Sequence, residues 1–419
     1  MSDIQDPMPR ARLSEPERLS FAARLGLFYA ALFLIYGVHV PYLPVWLDWR
    51  GLTAEEIAAV TAAPFFIRLA VTPALALVAD RLGNHRGMIQ ALCWAGLAFA
   101  LVLSQMHGFW PVLFAAIAFS IAISTIMPLT EAVAIEGAKW AGLDYGRMRL
   151  WGSLSFIGVG LLGGALVDRL GAGIGIWLIV AGAAATAAAG HSLPRIAPAT
   201  PAGADRGAWR GRFLGDEALS LVRSPLFLVF LLAAGAVQGA HAMFYAFGAL
   251  NWRAQGISTT WVGALWAIGV LAEVLLFAYS GPVLRRFGAV ALLICGSAAA
   301  LVRWSTMSLD PPLWLLIPLQ LLHALTYGAS HLGAVHFISQ AVSPGAAGTA
   351  QALYATVAAG LMMGGATLVS GPLYAAFGGR AYLAMAVLAT VGLIASLLLL
   401  RRTGQALWGA ASGRPPRLN

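Results

Sequence analysis

Twelve apolar stretches follow one another along the 419-residue chain, separated by shorter polar segments. An α-helix needs about 20 consecutive apolar residues to cross the hydrocarbon core of a bilayer, and each stretch has about that length. The pattern therefore predicts an all-α integral membrane protein with twelve transmembrane helices, called spans 1 to 12 below. In chain order they are 21–47, 54–79, 88–106, 111–137, 145–168, 173–193, 225–251, 259–284, 289–308, 312–340, 349–377 and 380–401.

A sequence repeat divides the twelve spans into two sets of six. The segment Asp80-Arg81-Leu82-Gly83 after span 2 matches Arg285-Arg286-Phe287-Gly288 after span 8, which lies 205 residues further on. Near the end of span 5, Gly164-Ala165-Leu166 matches Gly371-Pro372-Leu373 in span 11, at an offset of 207. Many secondary carriers consist of two such repeats. The sequence therefore predicts an internally duplicated transporter with two pseudo-symmetric six-helix halves.

The polar segments predict the domain boundaries. Residues 1–20 contain acidic residues and prolines where a signal peptide would have an apolar core, which predicts a disordered cytoplasmic tail. The segment 194–223 carries five arginines with several prolines and glycines, which is typical of a linker. The predicted domains are a six-helix bundle at 21–193, the linker, a second bundle at 224–402 and a tail at 403–419.

Composition and charge exclude two classes of protein. Only 10% of the residues are charged, whereas about 25% are charged in an ordinary soluble domain. Of 26 Lys and Arg residues, 20 lie on the side of the membrane that carries both termini and four lie on the other side. This asymmetry predicts cytoplasmic termini and an inner-membrane location. The net charge of +9 then reflects topology, and no nucleic-acid partner is predicted.

The loop after span 2 carries a recognisable motif. Residues 76–86 resemble the cytoplasmic loop motif of the major facilitator superfamily, Gly-x-Leu-x-Asp-Arg-x-Gly-Arg-Arg, although Ala76 replaces its first glycine. A carboxylate beside arginines at a helix end can hold one helix to its neighbour in one conformational state and release it in the other. The alternative is an ordinary solvated basic loop. The predicted gating-loop residues are Asp80, Arg81, Gly83, Arg86, Arg285, Arg286 and Gly288.

Charged residues inside the spans can be placed by counting from the turns. Glu131 and Arg149 are each nine residues from the turn between spans 4 and 5, so they should lie level on adjacent helices. Counting residues in the same way from the turn between spans 8 and 9, and from the turn between spans 9 and 10, places Glu273, Arg303 and His323 at one depth in the membrane. At 1.5 Å per residue this depth is roughly 20 Å from the helix ends, near the middle of the bilayer.

This arrangement suits proton coupling, because burial favours the neutral form of a carboxyl group whereas a nearby arginine favours its ionised form. A histidine at the same depth can relay the proton. The predicted proton-coupling residues are Glu273, Arg303, His323 and Glu131. The alternative is a static ion pair that aligns the helices.

Arg68 lies 205 residues before Glu273, so the two residues occupy equivalent positions in spans 2 and 8. The repeat therefore predicts that Arg68 and Glu273 pair across the cavity between the halves. The alternative is that the Arg68 side chain extends to the membrane surface.

A narrower resemblance covers nearly the whole chain. Glu131, followed by Arg149 within Tyr145–Ser153, resembles the span 4 to span 5 hairpin of the lactose permease branch, in which the corresponding carboxylate and arginine bind substrate. With Leu322–Ala329 and Gly371–Tyr374, the chain is most similar to the phenylpropionate permease group. The resemblance implies proton symport of a small solute.

Departures from lactose permease bear on the substrate. At the position of Thr326, lactose permease has a carboxylate that is central to protonation. At the position of Phe156, it has a tryptophan that stacks on the sugar. These changes favour a small aromatic carboxylate, with arginines for the anion and aromatic side chains for the ring. The predicted substrate-binding residues are Arg149, Glu131, Trp151, Phe156, His39, His241, Phe244 and Tyr245.

Several alternatives stay open: a nucleoside or oligosaccharide proton symporter, a drug or metabolite efflux carrier, or a sensor that binds without transporting. The chain has neither a Walker A loop nor the nucleophile-elbow and zinc motifs of hydrolases, so it is predicted not to be an enzyme. No cofactor or metal is predicted. The predicted partners are a small-molecule substrate, a proton and the lipid bilayer, with the protein acting as a monomer.

Overall fold

The computed structural model describes residues 14–194, 216–343 and 345–404, which are almost entirely helical. Ten continuous helical stretches in these ranges are long and apolar enough to cross a membrane. One of them, Ala347–Thr403, has 57 residues and contains two spans, and the shorter apolar helix Ile174–Gly190 completes the predicted twelve. The predicted fold of twelve transmembrane helices is confirmed.

The helices of the first half are continuous, whereas several in the second half are interrupted. Spans 1 to 6 are Glu15–Trp49, Ala54–Leu82, His85–Gln105, Phe109–Ala141, Tyr145–Leu170 and Ile174–Gly190. Spans 7 to 9 are Pro225–Gly239 with Ala242–Ala254, Thr259–Ala278 with Ser280–Phe287, and Ala289–Met307. Span 10 consists of the α-helices Leu313–Leu321 and Ser330–Ala341, with the π-helical segment Ala324–Ala329 between them. Span 11 consists of the α-helices Ala347–Ala355 and Met363–Phe377, with the π-helical segment Thr356–Met362 between them. Span 12 is Tyr382–Thr403, after the short turn Gly378–Ala381.

The predicted tails and linker lie partly outside the described residues. Glu15–Ser20, at the end of the predicted tail 1–20, already form the first turns of span 1, and a capping box between Ser14 and Glu17 starts that helix. Within the predicted linker, Asp216–Arg223 form a short helix before span 7. Residues 1–13, 195–215 and 405–419 lie outside the described ranges, so the domain boundaries there stay predictions.

The two halves meet along two pairs of helices. Span 5 packs along span 8, and span 2 packs along span 11. A Cβ atom at Gly164 of span 5 would overlap the backbone oxygen of Thr259, and one at Gly263 of span 8 would overlap that of Gly160. Small residues let membrane helices approach closely, so these glycines determine how closely spans 5 and 8 pack.

A carboxylate closes the same interface at one end of the protein. Asp168, near the end of span 5, accepts hydrogen bonds from the backbone N–H groups of Thr259 and Thr260 at 2.7 Å each, and from the Thr260 hydroxyl at 2.6 Å. These contacts join the halves at the start of span 8. We call this end the sealed end. The other end, which carries residues 14 and 404, is called the open end.

Candidate functional site

A cavity of about 1280 Å³ lies between the two halves. Residues 144–147, at the start of span 5, line its mouth at the open end. Its walls are mostly apolar and aromatic, with a few charged side chains, as is typical of small-molecule sites. Eight of the predicted site residues line it: His39, Arg68, Glu131, Arg149, Phe156, Tyr245, Glu273 and His323.

The other predicted substrate and proton residues lie elsewhere. Trp151 is 58% exposed on the outer surface, against Gly26 of span 1. It follows Arg149 by two residues, which is about 200° around a helix, so both cannot face the cavity. Phe244, His241 and Arg303 are buried behind the cavity wall. Arg303 lies there because its helix, span 9, packs against spans 10 and 12.

The predicted contact across the span 4 to span 5 hairpin is present. Arg149 Nε lies 3.8 Å from Glu131 Oε1, and the Tyr145 hydroxyl donates to the same oxygen at 3.1 Å. The Arg149 guanidinium also covers the Phe33 ring at 4.2 Å. Both charged groups are partly exposed to the cavity, so a ligand can reach them.

Glu273, His323 and Arg303 form a directional chain in the second half. His323 Nε2 lies 3.4 Å from Glu273 Oε2, and Arg303 Nη1 lies 3.2 Å from His323 Nδ1. A guanidinium can only donate, so Nδ1 is the acceptor and the hydrogen of the neutral ring is on Nε2, facing Glu273. The counting argument thus brought together three side chains that are in contact.

Neutral groups surround the Arg303 charge. Arg303 donates to Gln320 Oε1 at 2.7 Å and to Thr326 Oγ1 at 3.2 Å, and the faces of the Phe244 and Trp304 rings lie 4.8 and 4.5 Å from its guanidinium carbon. Cation–π contacts of this kind stabilise a desolvated cation. In the described residues Arg303 has no carboxylate within ion-pair distance, and Phe244 contacts this arginine rather than the cavity.

His241 extends the chain further from the cavity. Its Nδ1 lies 3.1 Å from the backbone oxygen of Val237, so Nδ1 carries the hydrogen and Nε2 accepts. The Thr326 hydroxyl, 3.0 Å from Nε2, therefore donates to His241 while accepting from Arg303. Gln320 and Thr326 were not among the predicted site residues. Their spacing of three residues on either side of His323 puts all three on one helix face, which is the signal that could have found them.

Arg68 does not contact Glu273 in this conformation. Its Nη2 donates to the backbone oxygen of Ala359 in span 11 at 2.6 Å, and its guanidinium lies 4.6 Å above the Phe65 ring. Glu273 instead has His323 as its partner. Both residues line the same cavity, so the predicted cross-cavity pair requires a different arrangement of the halves.

The predicted gating-loop residues lie at the open end, and the contacts of Asp80 and Arg86 are with other residues of the first half. Asp80 pairs with His85 at 2.9 Å, and Arg86 donates to the backbone oxygen of His191 at 2.7 Å. Gly83 and Gly288 have φ of 60° and 74°, which favours glycine at these helix ends. The predicted residues Arg81, Arg285 and Arg286 are exposed at the same end.

Sequence reasoning missed an aromatic row in span 10. The Tyr327 ring stacks between His323, at a centroid distance of 5.4 Å, and His331, at 6.1 Å. All three line the cavity. Their spacing of four residues predicts a shared helix face, so the sequence did contain the signal. The row leads from Glu273 toward the open end.

Comparison with known proteins identifies the family. A family model described as the MFS_1 like family matches residues 22–384. The chain belongs to this family. This MFS_1 like protein is 34% identical over 370 residues to the "Probable 3-phenylpropionic acid transporter" of Escherichia coli (strain K12), covering 87% of the chain and 94% of that relative. It is 26% identical over 378 residues to the maltose permease of Geobacillus stearothermophilus, covering 90% and 94%.

The fold is shared with a solved transporter. The crystal structure of the nucleoside transporter NupG superposes with a TM-score of 0.77 at 15% identity, covering 92% of this chain and all of that one. The relatives and structural neighbours are transporters. This MFS_1 like protein is therefore a multi-pass membrane transporter, and not an enzyme.

Proposed function

We propose that the protein is a proton symporter of a small aromatic carboxylate, working as a monomer by alternating access of its two halves. The observation that best supports an anionic substrate is the charge balance of the site. Inside the cavity or directly behind its wall, three arginines, Arg68, Arg149 and Arg303, stand against two glutamates, Glu131 and Glu273. At the mouth, Arg147 and Asp144 balance each other. A monoanion would balance the excess positive charge. The 34% identity to the phenylpropionic acid transporter supports the same class.

The charge asymmetry of the loops supports placing the open end in the cytoplasm of a bacterial inner membrane. The conformation described above is then open inward and sealed outward by Asp168 and the glycines of spans 5 and 8. Substrate leaves the cavity past the turn between spans 4 and 5, and the next cycle begins when the seal opens.

Glu273 carries the proton in this proposal. In the inward-open conformation Oε2 of its carboxylate lies 3.4 Å from Nε2 of His323, and this nearby N–H group favours the ionised form. Separation of spans 8 and 10 would remove the donor, so the carboxylate would bind a proton from the outer side. One proton accompanies one monoanion, and the pair crosses the membrane without net charge.

The test is uptake of labelled 3-phenylpropionate into proteoliposomes under an imposed inward proton gradient. We expect uptake that saturates, that a protonophore abolishes, and that a membrane potential alone does not drive, because the pair is neutral. Uptake at the same rate with and without the proton gradient would contradict proton coupling.

A neutral substrate is the other candidate, supported by the relation to a maltose permease. Labelled uridine and labelled maltose serve as alternative substrates in the same experiment. Uptake of either one, without any uptake of 3-phenylpropionate, would replace the aromatic acid by a nucleoside or sugar.

A further inference from the structure

The three arginines of the site differ in what their N–H groups already contact. Arg303 is fully buried and donates to His323, Thr326 and Gln320. The charge of Arg149 is paired with Glu131, 3.8 Å away. Arg303 is therefore out of reach of a ligand in the cavity, and the charge of Arg149 already has a charged partner.

Arg68 is different, because no carboxylate in the described residues pairs with it. A guanidinium has five N–H donors, and Ala359 O is the one acceptor that Arg68 contacts in the part of the chain that the structure describes. Arg68 lines the cavity, and Ala359 O accepts only one of the two hydrogens of its Nη2 atom. The other Nη2 hydrogen, together with the N–H of Nε or Nη1 beside it, leaves one edge of the guanidinium with two parallel donors for a carboxylate.

The surroundings of Arg68 fix its orientation. The Phe65 ring lies under the guanidinium at 4.6 Å, and the Ala359 oxygen holds one edge at 2.6 Å. Ala359 belongs to the π-helical segment of span 11, and such segments often occur at functional sites. Ordering the guanidinium before a ligand arrives reduces the entropy cost of binding.

The position of Arg68 suits both parts of an aromatic acid. It lies midway along span 2, at the depth of Glu273, and its backbone partner is in the other half. Tyr36 lines the same cavity and is only partly buried, so its ring can contact a phenyl group. The Tyr36 hydroxyl donates to the backbone oxygen of Ile123 at 3.1 Å, which fixes that ring.

We infer that Arg68 binds the carboxylate of the substrate, a role separate from pairing with Glu273. The inference rests on the proposed function, since it requires an anionic substrate. Arg68 then selects acids over neutral solutes of the same shape, whereas Glu273 carries the proton. Because the arginine comes from one half and its backbone partner from the other, this carboxylate site requires both halves in the present arrangement.

The experiment compares two ligands of the same shape, 3-phenylpropionate and 3-phenylpropionamide, by calorimetric binding to the purified full-length protein. We expect wild type to prefer the acid. Arg68→Gln should weaken acid binding on the order of 10- to 100-fold and leave amide binding unchanged, because a hydrogen-bonded charge pair is lost. Arg68→Lys should fall between them, because lysine keeps the charge but not the bidentate geometry.

Arg147→Gln is the matched control, since Arg147 lines the mouth of the same cavity and is exposed. It should keep the preference for the acid. Gel filtration and thermal unfolding check that each variant is folded. If Arg68→Gln does not fold, the preference of Arg68→Lys for the acid over the amide decides the question.

Two results would overturn the inference and leave the symport proposal intact: an equal loss of acid and amide binding in Arg68→Gln, or loss of the preference in Arg149→Gln with none in Arg68→Gln. A wild-type protein that does not prefer the acid would contradict the anionic substrate itself, and the inference with it.

Discussion

The two halves of the duplication carry charged groups at similar depth but expose them differently. In the first half, Glu131 and Arg149 face the cavity and are partly exposed. In the second half, Glu273 and His323 reach the cavity, and Arg303 is buried behind them. The difference suggests a division of labour, with the first half binding the solute and the second half handling the proton.

The largest expected effect comes from removing the proton carrier. Glu273→Gln keeps the shape of the side chain but cannot ionise, so it should abolish proton-driven accumulation. A pH gradient of one unit drives about tenfold accumulation by a one-to-one symporter, and the variant should only equilibrate. Exchange of labelled for unlabelled substrate should persist. Glu131→Gln is the first-half control and should still accumulate substrate. Accumulation by Glu273→Gln would contradict the assignment of proton coupling to the second half.

The next largest effect is a difference between Arg303 and Arg149 in how much each contributes to the stability of the protein. Arg303→Met leaves Gln320 Oε1 and His323 Nδ1 buried without a donor, and we expect the free energy of unfolding to fall by about 3 kcal/mol. Arg149→Met disrupts only a partly exposed pair and should cost under about 1 kcal/mol. Urea unfolding in detergent measures both. Equal losses would show that burial does not distinguish the halves.

The seal between the halves gives a smaller effect. Asp168→Asn removes the charge that accepts the N–H groups of Thr259 and Thr260, and should increase the population open at the sealed end on the order of tenfold. The readout is labelling of Val60→Cys, deep in the cavity, by an impermeant thiol reagent applied at the sealed end of a variant lacking Cys93 and Cys295.

Asp144→Asn is the control for the seal, because Asp144 caps span 5 at the open end through Gly146 N–H at 2.7 Å. It should leave labelling unchanged. If Asp168→Asn labels no faster than this control, the carboxylate does not hold the seal.

The smallest effect tests the first-half pair alone. Tyr145→Phe deletes the hydroxyl that donates to Glu131 at 3.1 Å, and should raise KM for uptake about 3- to 10-fold with little change in kcat. Tyr354→Phe, which removes a 3.4 Å contact with His331 in the second half, is the matched control. A change in kcat rather than KM would place the Tyr145 hydroxyl in the transport step instead of in binding.

Much of this arrangement could be predicted because helices have a fixed rise. Counting from the turns located the Glu131–Arg149 contact and the Glu273–His323–Arg303 chain before any coordinates were known. The count gives depth but not direction around the helix, so it did not show that Arg303 faces away from the cavity or that Trp151 faces outward. The Arg68 contact with Ala359 depends on how the halves are arranged, which hydropathy and spacing do not specify.

The π-helical segments of spans 10 and 11 bear on the evolutionary history of the chain. The repeat offset is 205 residues at spans 2 and 8 but 207 between Gly164 and Gly371, which lie in spans 5 and 11. A π-helical turn accommodates one residue more than an α-helical turn. Spans 4 and 5, the counterparts in the first half, are continuous α-helices. A single-residue insertion in span 11, absorbed as the π-helical turn Thr356–Met362, accounts for one residue of the longer offset. Span 10 is four residues shorter than span 4 despite its own π-helical segment, so it does not supply the other. An insertion absorbed in this way leaves the buried face beyond it in place, so the second half can place Ala359 against Arg68 without being repacked.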